Sequence, residues 1–501
     1  MSARSIPLIA GVAAFLVHLV ANPHYGFFRD ELYFIICGLH PQLGYVDQPP
    51  VVPLLAAMTQ LFGHSLILLR AVPALFAGAC VYVTCLLVAE FGAASFAQIL
   101  AALVVFFTGV LMSFGTKLSP DTVGLVTWPL LALIVVRLSN GADPRLWLAA
   151  GLVAGISIES KYSVVFFIAA LALGLLLTPQ RRLLFSRWAA GGALLAALIA
   201  LPNFLWQWSY GFPMLALLEA GQNGKNVNVS PLLYLAQEAI ITGVVLAVVW
   251  IAGLVWLLRT ANFRFLGYAY LLLIAEMMIF HGKHYYPADV YPILIAAGAV
   301  VCERWTRASR IARYAAVAVV LIVGIALAPM ALPVLPEATF VRYSASLSGA
   351  LHISQTATQT ERGRDEGALP GDWADMHGWP ELAQTVKRVY EALPPSDRAQ
   401  AVVLGDNYGG ASAVEFFAPG IPVISVHNQY WLWGTRRYSG NVLVQMGGTC
   451  FASDHLYTSR TVVTTFHSRW AITSEQHLPI AVCRGIRKPL ADVWKTSRAY
   501  I

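Results

Sequence analysis

Long apolar runs recur along this chain, and they limit its fold more than any other feature. A helix needs about 20 apolar residues to cross the hydrocarbon of a bilayer. Eleven candidate spans follow one another, near Ile6–Ala21, Leu66–Ala89, Ala97–Ser113, Val123–Leu138, Leu146–Ile158, Tyr162–Leu177, Trp188–Phe204, Leu235–Leu257, Leu266–Phe280, Pro292–Cys302 and Ala315–Leu335. The fifth and sixth are short enough to read as one broken hairpin, and Tyr285–Tyr291 extends the short tenth. With 58% hydrophobic and 12% charged residues, the chain reads as a polytopic α-helical membrane protein. Its start resembles a signal peptide but has no small-x-small cleavage site, so it reads as a retained first span.

The short loops carry an orientation. Arg137 and Arg145 share one loop; Arg181, Arg182 and Arg187 a second; Arg259 and Arg264 a third; Arg304, Arg307, Arg310 and Arg313 a fourth. With eleven spans all four fall on one side, together with Arg4, and the positive-inside rule makes that side cytoplasmic. Glu90–Phe96 has no basic residue and adds nothing. The net charge of +7 sits in these loops. No polar basic patch interleaved with aromatics is present, which argues against nucleic acid as a partner.

The opposite side collects a second set of polar, ionisable segments. They lie in Phe27–Pro50, Gly115–Asp121, the break Glu159-Ser160-Lys161, the loop from Asn203 to Pro231, and His281–Asp289. Acids beside a bilayer are costly and ask for a reason. For the adjacent pair Asp30 and Glu31, two readings stand. In one, Asp30 caps a short helix beginning at Glu31 and Leu32, with Glu31 favouring its positive end. In the other, the acids sit at the mouth of a membrane cavity and do chemistry. Leu32–Leu39 and Val51–Phe62 read as interfacial helices, with Tyr33, Phe34 and Phe62 at headgroup depth, or else as a layer packed over the bundle. The loop Gly221–Asn226 is polar and reads as mobile, and the sequon at Asn228 is too short a pattern to carry weight. Cys37, Cys80, Cys85 and Cys302 read as small buried hydrophobes.

From Glu337 the composition changes. Residues 1–336 read as the membrane domain, with its first outer loop at 22–65; 337–378 as a linker or irregular region; and 379–501 as a small extracytoplasmic α/β domain. In it, Trp379–Leu393 has helical periodicity, Ala401–Leu404 and Val423–Val426 flank a helix at Ala411–Phe417, and Asn441–Val444 and Thr461–Thr465 are further strands. The turn Gly405-Asp406-Asn407-Tyr408-Gly409-Gly410 lacks the spacing of a phosphate loop and reads as structural. His427–Trp433 reads either as a surface that stacks on sugar or as a core strand with its turn. Cys450 and Cys483 are the only cysteines after the last span, in a compartment that permits disulfides, and are expected to be bonded to each other; two separate thiols are the alternative.

With these residues in view, the chain resembles the membrane glycosyltransferases of family 39, which have a GT-C fold and include protein O-mannosyltransferases and the aminoarabinose transferases of lipid A. The resemblance rests on Arg29-Asp30-Glu31-Leu32-Tyr33, Asp47-Gln48-Pro49-Pro50, Ser119-Pro120-Asp121, Gly155–Tyr162, Lys283-His284-Tyr285-Tyr286 with Tyr291-Pro292, and the tail motifs Asn407–Phe417 and His427–Gly434. Each motif is short; their order and common face carry the match. The chain departs at Gln48, where relatives have His or Lys, and at Tyr33, where some have Arg.

The resemblance implies transfer of a sugar from a polyprenyl-phosphate donor to a hydroxyl outside the cytoplasm, with inversion, in a bacterial inner membrane. The acceptor would be an envelope glycan, lipid or protein. Such a hydroxyl needs a base and the departing phosphate needs cations. Asp30 is the expected base, and Asp121 the residue that orients it or the acceptor. Lys161, Lys283, His284 and Tyr285 are the expected phosphate or donor contacts, Lys117 and Arg29 weaker ones, and Glu31, Asp47, Gln48 and Tyr33 support them. The alternative reading of these lysines is snorkelling to headgroups. Some relatives bind a divalent ion, for which Asp47, His284 and Glu31 would be the ligands and zinc or manganese the metal. A transporter or flippase of a lipid-linked sugar is the competing class; it would favour internal repeats, and none is visible.

Overall fold

The computed structural model describes residues 5–222, 227, 229–352, 367–448, 450–451 and 455–500. Arg4, residues 223–226 of the polar loop and Asn228 of the sequon lie outside them. Helices occupy all eleven expected positions. By length and hydropathy alone, five of the described helices could cross a membrane, or six if one bent pair is a single span. That pair corrects the eighth expected span: Pro231–Thr242 and Val244–Arg259 meet at 110°. The hinge is Gly243, whose φ of +85° is open to glycine and strained for other residues. The third span also breaks, at Thr108, between helices Ser95–Phe107 and Gly109–Phe114. The first helix, Ile6–Ala21, packs on Leu66–Glu90 where two glycines meet; a Cβ on Gly11 would stand 2.8 Å from the Gly78 carbonyl oxygen.

The arginine-bearing loops gather at one end of the bundle. Asn140 donates to Glu90, Asn262 to Asn140, Gln180 to Asn262, and the Ala94 amide to Glu303. A second set of polar segments meets elsewhere: the Val51 amide donates to the Glu159 carbonyl, Trp206 to Gln42 and Lys117 to Asp372, next to the C-terminal lobe.

That lobe is a five-stranded sheet: β1 Ala401–Gly405, β2 Val423–Ser425, β3 Val442–Met446, β4 Tyr457–His467 and β5 His477–Ile486, in the order β2-β1-β3-β5-β4. β1 runs parallel to β2 and β3, while β5 is antiparallel to β3 and β4. The sequence reading misses β5. Its segment contains Pro479, which argues against an inner strand, but Pro479 lies where β3 has already ended and only its carbonyl is used, by the Gly447 amide. Cys450 and Cys483 are joined as a disulfide with Cα atoms 6.3 Å apart.

Two expectations need correcting, and one alternative is decided. Residues 337–378 are not irregular throughout: Glu337–Leu351 is a helix, and Leu369, Trp373 and Met376 are buried against Tyr25, Phe28 and Phe340. Residues 353–366 lie outside the described ones. His427–Trp433 is not a strand; Asn428–Trp433 is a helical turn. Of the first loop, residues 32–38 take the packed alternative and not the interfacial one, since Tyr33 and Phe34 are buried, whereas Leu54, Met58, Leu61 and Phe62 of the helix Val51–Thr59 and its end stay exposed. Leu32, Ile35, Tyr45 and Val52 share one hydrophobic core with Trp379, Val386, Val414 and Ile480 of the lobe. Burying apolar faces is what binds layers into a unit, so the first loop and the lobe form a single body over the bundle.

Candidate active site

The site begins at the first turn of the helix Arg29–Leu39. Successive helical residues point about 100° apart, so three adjacent charged side chains take three directions. Arg29 reaches into the lobe, to Asp375 at 2.7 Å and Glu475 at 3.1 Å. Asp30 accepts from the Tyr408 hydroxyl at 2.8 Å. Glu31 turns into the bundle and is saturated: one oxygen accepts from Arg70 Nε and the Leu118 amide, the other from Arg70 Nη2 and the Phe28 amide. The cap of this helix is therefore Glu31, through the Phe28 amide, and the helix starts at Arg29. This corrects the reading in which Asp30 is the cap. Among the described residues Asp30 accepts through Oδ1 alone, which leaves Oδ2 for a proton.

A second carboxylate lies beside it. Asp47 accepts from the Tyr33 hydroxyl at 3.0 Å and from Asn428 Nδ2 at 3.1 Å. Tyr33 in turn accepts from the Gln429 amide at 3.1 Å. The rings of Tyr33 and Tyr408 are 4.8 Å apart, so each carboxylate is held by one member of a touching phenol pair. Burial pushes Asp47 up to about 7 against the pull of these hydrogen bonds, and the nearby Asp30 charge pushes the same way. Next to it, Gln48 is 2% exposed with neither amide atom hydrogen-bonded.

A second cluster forms at the head of the helix Pro120–Ser139. Lys161 makes an ion pair with Asp121 and lies over the rings of Tyr286, at 4.8 Å, and Tyr285, at 5.6 Å. Asp289 faces both members of that pair and packs so tightly on the same helix that a Cβ on Gly124 would clash with it. The two clusters are separate, and among the described residues no hydrogen bond joins Asp30 to Asp121. What connects them is Glu31, which binds the Leu118 amide three residues before Asp121.

The other expected residues are spread out. Lys117 is taken by Asp372 of the lobe at 2.7 Å. His284 is buried and stands edge-on to Tyr285, and the Lys283 carbonyl accepts from Tyr234. The metal reading finds no support in the geometry. Among the described residues no three His, Cys, Asp or Glu side chains are grouped to hold an ion, and both oxygens of Glu31 are committed. Sequence reasoning missed Arg70, Asp289, Tyr408 and Asn428. For Arg70 a signal exists, a lone charge in an apolar stretch; Asp289 closes the polar stretch His281–Asp289 but was given no role of its own. For Tyr408 and Asn428 only the fold brings them to the first loop.

Residues 47–206 match the family model of dolichyl-phosphate-mannose-protein mannosyltransferases. A lipid A galacturonosyltransferase, RgtD of Rhizobium johnstonii, is 28% identical over 209 residues; the match spans 41% of this chain and 44% of that one. Two crystal structures of ArnT from Cupriavidus metallidurans share the fold. The form bound to undecaprenyl phosphate aligns with TM-score 0.60 at 14% identity, and the apo form with 0.62 at 13%; each alignment covers 95% of this chain and 97% of the other. The resemblance to GT-C membrane glycosyltransferases of the mannosyltransferase and ArnT type thus holds in a sequence segment and in the fold.

Proposed function

We propose, from the premise that this chain has the ArnT fold and a mannosyltransferase-family segment, that it transfers a sugar from a polyprenyl-phosphate donor to a hydroxyl acceptor of the cell envelope. The arginine-bearing end would face the cytoplasm and the lobe the opposite side. The reading is carried by one contrast: of two adjacent acids, Glu31 has every oxygen committed to structure, whereas among the described residues Asp30 keeps one oxygen uncommitted. Asp30 takes the acceptor's proton as its oxygen attacks the anomeric carbon. The bond from that carbon to the phosphate oxygen breaks, and polyprenyl phosphate leaves. A single displacement of this kind inverts the anomeric centre. In this reading Lys161, held by Asp121 and the tyrosine rings, supplies the cation for the departing phosphate. The ArnT complex with undecaprenyl phosphate supports that lipid as carrier, and the RgtD match supports lipid A as an acceptor to try first.

The test is release of undecaprenyl phosphate by purified protein from undecaprenyl-phosphate-linked galacturonate, mannose or aminoarabinose, with and without lipid A. Acceptor-dependent release with one donor is the expected result. If every donor stays intact and envelope lipids and glycans are unchanged when the gene is deleted, the proposal fails.

A further inference from the structure

Two motifs play no part in the chemistry above, Gly405–Gly410 and His427–Gly434, and both end on its carboxylates. We propose that the α/β lobe is a working part of the catalytic centre, with Tyr408 and Asn428 as positioning residues that hold Asp30 and Asp47 across the interface. This rests on Asp30 being the base.

The turn after β1 is built for close approach. A Cβ on Gly409 would stand 2.4 Å from Arg29 Cγ, so only glycine lets this loop reach the Arg29–Leu39 helix. Asn407 caps the following helix, Tyr408–Phe417, by accepting from the Gly410 amide at 2.9 Å, and its own amide donates to Glu475 at 3.1 Å. Tyr408 is thereby fixed at the first helical position, with its hydroxyl on Asp30. The turn after β2 works in the same way on Asp47. Asn428, at φ +45°, donates to Asp47, and Gln429 accepts from the Val46 amide at 3.1 Å while its backbone amide donates to Tyr33. The lobe therefore grips a neighbour of each carboxylate as well as the carboxylate itself: Arg29 beside Asp30, and Val46 beside Asp47.

The chemical need is plain. A base works only if its oxygen is placed within hydrogen-bond reach of the proton it takes, and functional groups must be held to about 0.5 Å by neighbours that are themselves locked. Asp30, on the first turn of this helix, is itself only partly buried and has freedom about its side-chain bonds. The Tyr408 hydroxyl removes that freedom using Oδ1 and leaves Oδ2 to react. Phenylalanine at 408 would keep the ring against Tyr33 and delete only the hydroxyl, so packing and positioning can be told apart.

The experiment uses full-length protein and whichever of undecaprenyl-phosphate galacturonate, mannose or aminoarabinose the wild type consumes with lipid A. Tyr408→Phe is expected to lower kcat by about 10-fold or more, the lower part of the range for losing a well-placed catalytic contact. The donor KM, undecaprenyl phosphate binding and Tm should stay near wild type. Unchanged kcat overturns the proposal, and so does a loss of kcat fully accounted for by a loss of folded protein. A second measurement needs no turnover: the Tm of Tyr408→Phe, Asp30→Ala and the double variant. Coupled sites give a double variant less destabilised than the sum of the singles; additive shifts overturn the contact. If the wild type is silent with all three donors and gene deletion leaves envelope lipids and glycans unchanged, the transfer reading fails on its own account, and the Tm cycle alone decides whether the lobe holds Asp30.

Discussion

Arg70 and Glu31 face each other with neither side chain exposed, Nε 3.2 Å from Oε1 and Nη2 3.0 Å from Oε2. Arg70 also donates to the Asn22 and Gly26 carbonyls, so it ties the end of the first helix to the start of the Arg29–Leu39 helix. A buried pair is worth little against a hydrophobic replacement, but removing one partner leaves a charge with no counterpart. Arg70→Met should therefore cost about 3–5 kcal/mol, and adding Glu31→Gln should return part of it. Thermal unfolding of the three variants checks this. A fully stable Arg70→Met protein would show that the pair does not hold the site.

Asp30 and Glu31 should then separate cleanly. Asp30→Asn keeps the shape and the Tyr408 contact but cannot take a proton, so transfer should slow by about 100-fold or more with undecaprenyl phosphate binding retained. Glu31→Gln should act through stability instead. Asp121→Asn releases Lys161 and should weaken binding of undecaprenyl phosphate as well as turnover. Single-turnover transfer measured beside carrier binding resolves the three. Near-normal turnover in Asp30→Asn would put the base elsewhere.

The bundle was legible because burial in lipid demands long apolar runs, and the arginines sorted their ends. The Asp-Glu pair stood out as a candidate because acids at a membrane edge are costly. The contacts that distinguish the two acids were not legible, since Glu31 is held by Arg70, 39 residues away, and Asp30 by Tyr408, 378 residues away. The segment Leu32–Leu39 was left between an interfacial and a packed reading for a related reason. Its apolar residues fit a bilayer surface and a protein core equally well, and only the lobe that covers them decides. Gly243 looked like an ordinary residue of an apolar run, because such a run reads the same whether its helix is straight or bent.

Asp47 gives the protein a pH signature. Its pKa in the folded state, about 7, lies above the ordinary 3.8 because of burial. A raised carboxyl binds its proton more tightly when folded, so its contribution to stability is complete below about pH 4 and is lost as pH rises through 7. His427 runs the other way: burial first, then the Arg29 charge, lowers it from 6.5 to about 4, so its contribution is lost as pH falls through that window. The informative quantity is therefore the stability of wild type minus that of Asp47→Asn, which should decline steadily from pH 4 to 8. Parallel curves for the two proteins would mean that Asp47 ionises at its ordinary pH.

Gln48 provides the last test, and it bears on the departure from relatives that carry His or Lys there. Its amide is buried, and among the described residues neither its nitrogen nor its oxygen has a partner. An amide offers a donor and an acceptor together, which suits a sugar hydroxyl; a phosphate would use the donor alone. Leaving such a group unsatisfied costs about 1–3 kcal/mol, which a similarly sized apolar side chain would avoid. Gln48→Met should thus raise the Tm of the protein without substrate. It should also raise the KM for the lipid-linked sugar while leaving affinity for undecaprenyl phosphate, which has no sugar, close to wild type. Equal weakening toward both lipids would instead place the Gln48 amide at the phosphate, and a lower Tm would show that the amide is already satisfied within the fold.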